Sequence, residues 1–257
     1  MGSALLCVRD LTLRFGGVHA LDSVSFDVEE HAICGLIGPN GAGKSSLFNC
    51  ISRLYAPSSG EILWRGQPIG TLARHRIAGL GIGRTFQNLA LFGAMSVLDN
   101  VRVGSHCRTQ AGLWASLLRT GAMRQEEAAV ERKAMDLLRF VGLEGVAGSR
   151  ADALPFGLQK RVELARALAA EPALLLLDEP AAGLNAGELD ALAALVRRIR
   201  ETLGTTVLVV EHHMRFLMAV SDHVVVLNFG RKLAEGSPAQ VQRDPAVIEA
   251  YLGAPAS

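Results

Sequence analysis

The sequence predicts an α/β protein with a parallel central sheet, and three observations carry that prediction. Residues 38–45, Gly-Pro-Asn-Gly-Ala-Gly-Lys-Ser, complete the phosphate-binding pattern G-x-x-x-x-G-K-[ST]. An apolar run precedes them at 32–37 and a helix-compatible stretch follows at 46–51, the strand–loop–helix setting this motif needs. Further along, short apolar runs at 173–177 and 206–210 alternate with a helical period at 186–203. Both runs end in polar residues, Asp178-Glu179 and Glu211-His212-His213, as buried parallel strands do where they carry ligand-binding groups at their carboxyl ends.

Taken in order, residues 5–8, 11–15 and 24–28 alternate as strands, and Gly16-Gly17 makes a turn between two of them. They predict an antiparallel sheet ahead of the phosphate loop. Within the loop, which also contains Pro39, Asn40 and Ala42, Gly38, Gly41 and Gly43 let the backbone turn tightly and aim its N–H groups at phosphate oxygens. Ser46 opens the following helix, whose N-terminus adds partial positive charge. Lys44 is placed to reach the β- and γ-phosphates, and Ser45 to ligate Mg²⁺. The alternative is a Gly-rich turn with an exposed lysine.

Residues 61–66 form a strand ending in a turn, and 97–142 turn helical. The clearest period lies at 126–140, with Val130, Ala134, Leu137, Leu138 and Val141 on one face, whereas 104–121 has no clear period. A helix at 159–170 carries Val162, Leu164, Ala165 and Leu168. A strand at 224–228, a turn at Gly230 and a terminal helix at 244–252 close the chain, with no internal repeat.

Hydrophobic residues make up 49% of the 257, enough for a sizeable core, and aromatics only 5%, so that core is aliphatic. A net charge of +1 gives no electrostatic case for nucleic acid. The basic clusters Arg74-His75-Arg76 and Arg197-Arg198-Arg200 read as solvated helix faces or subunit contacts. Cys7, Cys34, Cys50 and Cys107 are scattered, without metal or redox spacing, and fit a reducing compartment; Cys34 and Cys50 sit in apolar runs as core residues. The N-terminus has too short an apolar stretch for a signal peptide, and no run approaches the ~18 apolar residues of a membrane span, so a soluble protein is expected.

Further motifs follow in a fixed order. Leu174-Leu175-Leu176-Leu177-Asp178-Glu179-Pro180, Arg84-Thr85-Phe86-Gln87-Asn88, Val210-Glu211-His212-His213 and Phe15-Gly16-Gly17 accompany the phosphate loop. Leu154-Pro155-Phe156-Gly157-Leu158-Gln159 and Ala181-Ala182-Gly183-Leu184-Asn185 complete the set. With these motifs the chain resembles an ABC-transporter ATPase subunit over essentially its whole length. The resemblance implies a P-loop NTPase fold, a RecA-like parallel core with an N-terminal antiparallel β-subdomain and an inserted helical subdomain. It divides a single domain, 1–257, into a core of 1–86 and 171–257 and a helical signature subdomain of 87–170.

The family's site roles carry over by motif. The expected ligands are ATP and Mg²⁺. Asp178 and Gln87 join Ser45 at the metal, and Glu179 polarises the attacking water. Gln87 also touches that water and relays occupancy to the helical subdomain; His212 contacts the γ-phosphate; Phe15 stacks on adenine. Phe15 as a core residue, and the acids and His212 as structural groups, are the alternatives weighed. Pro155 stands where the family pattern has a Ser whose hydroxyl contacts the partner's γ-phosphate, and Pro lacks an N–H. Gly157 and the helix behind it still offer donors. The missing contact costs about 1.5–3 kcal/mol. Asn185 replaces a common Asp. These departures suggest a heterodimer with unequal sites.

Finer features resemble the LivG-type subunit of branched-chain amino acid importers: Phe15-Gly16-Gly17-Val18, the Leu-Pro-aromatic-Gly signature and the tail Val247-Ile248-Glu249-Ala250-Tyr251-Leu252-Gly253. The implied partners are a sister ATPase, two membrane permeases and, indirectly, an extracytoplasmic binding protein, with no nucleic acid. The implied location is peripheral, on the cytoplasmic face of the membrane. Leu89, Leu91, Phe92 and Val97 are expected either to line the permease-docking groove or to pack internally. Urea or short-chain amide import is the alternative solute reading, and lipopolysaccharide export a more distant one. A translation or repair ATPase fits poorly, because one cassette is present and the interval from Gln87 to Leu154 is too short for coiled-coil insertion. A binding module without hydrolysis conflicts with intact Lys44, Asp178, Glu179 and His212.

Overall fold

A computed structural model describes the backbone of residues 3–85, 89–105 and 121–252. Strands β1 (Ala4–Phe15) and β2 (Val18–Glu29) form an antiparallel hairpin that turns at Gly16-Gly17 and closes with Phe15 opposite Val18. The three short strands expected here are two long ones. Register shifts flank Asp10, whose φ of 46° absorbs an irregularity that would otherwise end the strand. Strands β3 (Ile33–Ile37), β4 (Ser59–Trp64) and β5 (Gln67–Pro68) follow in sequence, with β4 and β5 extending the first sheet to the order β2-β1-β4-β5. Gly60 is required in β4, because a Cβ there would sit 2.3 Å from the Asp10 carbonyl oxygen.

The second sheet adds β6 (Ile82–Arg84), β7 (Leu174–Asp178), β8 (Thr206–Val210), β9 (His223–Asn228) and β10 (Arg231–Gly236) in the order β10-β9-β3-β8-β7-β6. Every pair is parallel except β9 with β10. Each residue of β3, β7 and β8 is buried, so the pleat sends alternate side chains into two separate cores. Cys34, Leu36, Leu174, Leu176, Leu208 and Val210 join the antiparallel sheet and helix α1 (Lys44–Ile51). Ile33, Ile37, Leu175, Leu177, Val207 and Val209 join the remaining helical layer.

Those helices are α3 (Val97–Gly104), α4 (Gly121–Phe140), α5 (Phe156–Leu168), α6 (Ala186–Leu203) and α7 (Met214–Val220); α2 (Arg74–Gly79) lies outside this layer, and α8 (Pro238–Val241) and α9 (Pro245–Leu252) end the chain. The predicted face of α4 is buried at Ala134 and Leu138, with Val141 just beyond it, and half-buried at Val130 and Leu137. Helix α6 matches its expected bounds because Asn185 and Glu188 cap one end and Gly204 in the left-handed conformation ends the other. Helix α5 starts three residues earlier than its apolar period, since Pro155 serves as its N-cap.

Val97 is a correction to the expected docking surface. It is fully buried at the start of α3, its N–H bonded to the Ser149 carbonyl. Buried Asn100 clamps the turn before it, donating to the Phe92 and Ser96 carbonyls and accepting from Phe92 N–H. Phe92 remains exposed, and Leu89 and Leu91 are half-buried. Among the described residues, no helix is long and apolar enough to cross a membrane.

Cys34 and Cys50 are core residues as expected, whereas Cys107 falls outside the described residues. Burial pushes the Cys34 thiol up to about 12 and the Cys50 thiol up to about 11. At these two positions the thiol form prevails at neutral pH. Peptide mapping after iodoacetamide treatment should find both unmodified in native protein and both alkylated once denaturant is added; rapid labelling of native Cys34 would contradict the packing.

Candidate nucleotide-binding site

Strand β3 delivers the chain into the phosphate loop, and two close approaches shape it. A Cβ on Gly38 would lie 2.2 Å from the Leu227 carbonyl oxygen, and one on Gly43 would lie 2.5 Å from that of Ala20. Gly43 also has φ 99°, where a side chain would be strained. The loop is held by Ala42 N–H on the Pro39 carbonyl (3.1 Å) and Gly230 N–H on the Ala42 carbonyl (3.1 Å). Asn40, Gly41 and Ser45 are exposed and Ser46 half-buried. Gly43 caps α1 without a side-chain acceptor, which leaves the first turn to an external anion.

Lys44 is buried and folds back over the loop, donating to the carbonyls of Gly38 (2.6 Å) and Pro39 (3.0 Å). Burial lowers the Lys44 pKa, and the Glu179 carboxylate opposes that shift. So the expected exposed-lysine alternative fails: the ammonium is already seated among loop oxygens.

At the end of β7, buried Asp178 accepts from Arg84 Nη2 at 2.8 Å. Arg84 Nη1 donates to Asn49 Oδ1 (2.9 Å) and Ser52 Oγ (3.1 Å) at α1, and the guanidinium lies 5.6 Å over the Phe48 ring. One cation thus ties the acid to the helix that follows the phosphate loop. In the sequence Arg84 stands only within the run Arg84-Thr85-Phe86-Gln87-Asn88, with nothing to mark a role of its own. Its signal, an arginine closing a three-residue strand, is visible only after β6 is seen to pair with β7.

Glu179 has φ 47°, a left-handed conformation uncommon for a side-chain-bearing residue, and its N–H donates to the Val210 carbonyl at 3.0 Å. Its Oε2 lies 3.9 Å from His212 Nδ1. Glu211, just past the end of β8, is completely buried. Its Oε1 accepts from Ala181 N–H (2.6 Å), and its Oε2 from the N–H groups of His212 (3.1 Å) and His213 (3.2 Å). Burial pushes the Glu211 carboxyl above the usual range, and those backbone donors and His212 oppose it. The sequence showed Glu211 only as one of several polar residues ending a strand.

Phe15 is not a core residue: half of it is exposed at the end of β1, set edge-on against Tyr55 with ring centroids 5.3 Å apart and planes at 80°. Tyr55, a second exposed aromatic beside it, had no pattern to announce it. Pro155 is exposed ahead of α5, and its carbonyl accepts from the N–H groups of Leu158 and Gln159. Gly157 lies so close to Glu188 on α6 that a Cβ would sit 2.3 Å from Oε1. Asn185 is the N-cap of α6, a task Asn and Asp perform equally. The ends of β3, β7 and β8 therefore gather Lys44, Asp178, Glu179 and His212, while Pro155 and Gly157 stand at the α5 N-terminus near α6. Gln87 lies outside the described residues.

A family model described as ABC transporter matches residues 21–182, and one described as branched-chain amino acid ATP-binding cassette transporter matches 231–257. The chain is 43% identical to the high-affinity branched-chain amino acid transport ATP-binding protein BraF of Pseudomonas aeruginosa, covering 98% of this chain and 99% of that one. It is 41% identical to LivG, the corresponding protein of Escherichia coli K12, with the same coverage. A crystal structure of the ADP conformation of MJ1267, an ATP-binding cassette of an ABC transporter, superposes with a TM-score of 0.84 at 30% identity, covering 98% of this chain and all of that one.

The Arg84–Asp178 pair generates a stability prediction. Arg84→Met leaves a buried carboxylate without its counter-charge, and removing one partner of a buried pair costs about 3–5 kcal/mol. Urea unfolding should show a loss of that order, and Asp178→Asn added to it should recover part. An unchanged unfolding midpoint in Arg84→Met would show that the pair carries no such weight.

Proposed function

We propose that this chain, which belongs to the ABC transporter ATPase family, powers the import of branched-chain amino acids. As a member it binds ATP and is an ATPase coupled to transport. The observation that carries the catalytic reading is the convergence of Lys44, Asp178, Glu179 and His212 at adjacent strand ends. The solute assignment is supported by near-full-length identity to BraF and LivG and by the matching C-terminal segment.

In this reading the loop N–H groups and Lys44 cradle the β- and γ-phosphates, and Phe15 offers an exposed ring to adenine. The ammonium exchanges the Gly38 and Pro39 carbonyls for phosphate oxygens when the nucleotide arrives. Glu179 orients and polarises the attacking water, and His212 holds the γ-phosphate from the neighbouring strand end. Asp178 and Ser45 are oxygen donors of the kind Mg²⁺ prefers, and the Asp178 carboxylate is fixed in place by Arg84. Gln87 completes that set by motif alone. The metal supplies neutralisation of phosphate charge.

The working unit is a pair of such ATPases with two permeases, fed by an extracytoplasmic binding protein and seated on the cytoplasmic face of the membrane. Nucleic acid is no partner. ATP favours the closed pair because both subunits contact it only there. Residues 87–170 act as the moving, signature-bearing unit, and the exposed Phe92 region within it is the remaining docking surface. The sister subunit in this reading is a different chain, and because Pro155 offers no hydroxyl to its ATP the two sites are unequal.

Glu179→Gln should lower kcat for ATP hydrolysis by about 10²-fold or more while ATP still binds. In cells carrying it, leucine uptake should be lost and urea uptake kept; the reverse outcome would replace the solute. Pro155→Ser should raise the ATPase rate of the assembled pair several-fold, and an unchanged rate would count against unequal sites.

A further inference from the structure

We infer that Glu211 is a positioning residue whose single carboxylate sets the geometry between Glu179 and His212. The inference rests on the catalytic reading of those two residues given above. Glu211 follows β8, whose five residues are all buried, and it is itself completely buried. A carboxylate persists in such a place only when its oxygens are paired, and an apolar side chain would be simpler to accommodate there. Its pairing explains its presence. One oxygen serves the segment after β7, through Ala181 N–H, and the other serves the segment after β8, through His212 and His213 N–H.

Both segments need that support. Glu179 adopts φ 47°, a conformation that persists only when surrounding bonds over-determine it. Three bonds do so: Glu179 N–H to the Val210 carbonyl, Ala182 N–H to the Glu179 carbonyl, and Ala181 N–H to Glu211. Two of the three run to residues 210 and 211. The turn bearing Glu179 is therefore suspended from the end of β8, and the backbone of His212 is bound to the other oxygen of the same side chain. The 3.9 Å separation between Glu179 Oε2 and His212 Nδ1 is a consequence of that shared anchor. The phosphate loop is tied elsewhere, by Gly230 N–H on the Ala42 carbonyl, and lies close against the Ala20 and Leu227 carbonyls.

An isosteric change tests this. The amide introduced by Glu211→Gln has one acceptor oxygen and one NH₂ group, so in either orientation an NH₂ faces a backbone N–H and one arm opens. The assembled pair carrying Glu211→Gln in this chain should lose about tenfold or more in the kcat contributed by this chain's site, with the Kd of the purified full-length chain for a fluorescent ATP analogue unchanged within about twofold. Glu211→Asp keeps both oxygens but falls short by one methylene, and should give a kcat between those of the parent and Glu211→Gln. A parental kcat in Glu211→Gln overturns the inference, as does a loss in which kcat and analogue affinity fall together, which marks general damage. Should Glu211→Gln not fold, Glu211→Asp decides: a parental kcat there overturns the inference, and a reduced kcat with normal affinity supports it. Glu179→Gln and His212→Ala, measured alongside, separate the two levels. If they retain activity, the catalytic reading fails; if they lose it and the Glu211 variants do not, only the positioning role fails.

Discussion

The burial of β3, β7 and β8 on both faces is the constraint on which the rest depends. A strand covered on both sides has no solvated face for polar side chains, so they collect where the strand stops. Because the three strands are parallel and adjacent through β8, their stops lie along one edge. Gly38, Asp178 and Glu211 each stand at such a stop, and the functional groups follow within a few residues.

Crowding three acids along that edge requires separate treatment for each. Asp178 is met by a guanidinium, and Glu211 by backbone N–H groups from two segments. Glu179 is the more solvent-accessible, with a fifth of its side chain exposed against 7% for Asp178. Its unusual backbone angle turns it away from the strand line and toward His212. The same edge thus contains one carboxylate fixed by charge, one by hydrogen bonds, and one accessible to solvent and reactants.

The signature region shows how a departure from a family pattern is absorbed locally. Pro155 suits the N-cap position, since no intrahelical bond is asked of its missing N–H, and its carbonyl still starts the helix. What changes is the outward face, which loses a hydroxyl. Asn185 is absorbed more completely, because its oxygen accepts from Glu188 N–H as an Asp oxygen would.

Sequence alone determined the phosphate loop, the strand–helix alternation after residue 173 and the acids at strand ends, because each is written in contiguous residues. Helix α6 and strand β8 were legible to the residue, since a capping box and a run of β-branched residues mark them. The short elements α2, β6 and α7 were not, being too brief to show a period, nor was β10, a half-exposed edge strand whose polar residues hide its pairing with β9. Only the tertiary structure decided that Phe15 is exposed beside Tyr55, that Val97 is core, that Arg84 neutralises Asp178, and that Glu211 spans two strand ends. Each of these depends on contacts between segments 30 to 94 positions apart or on which side of an element meets the core, and no local pattern of residue types records such contacts.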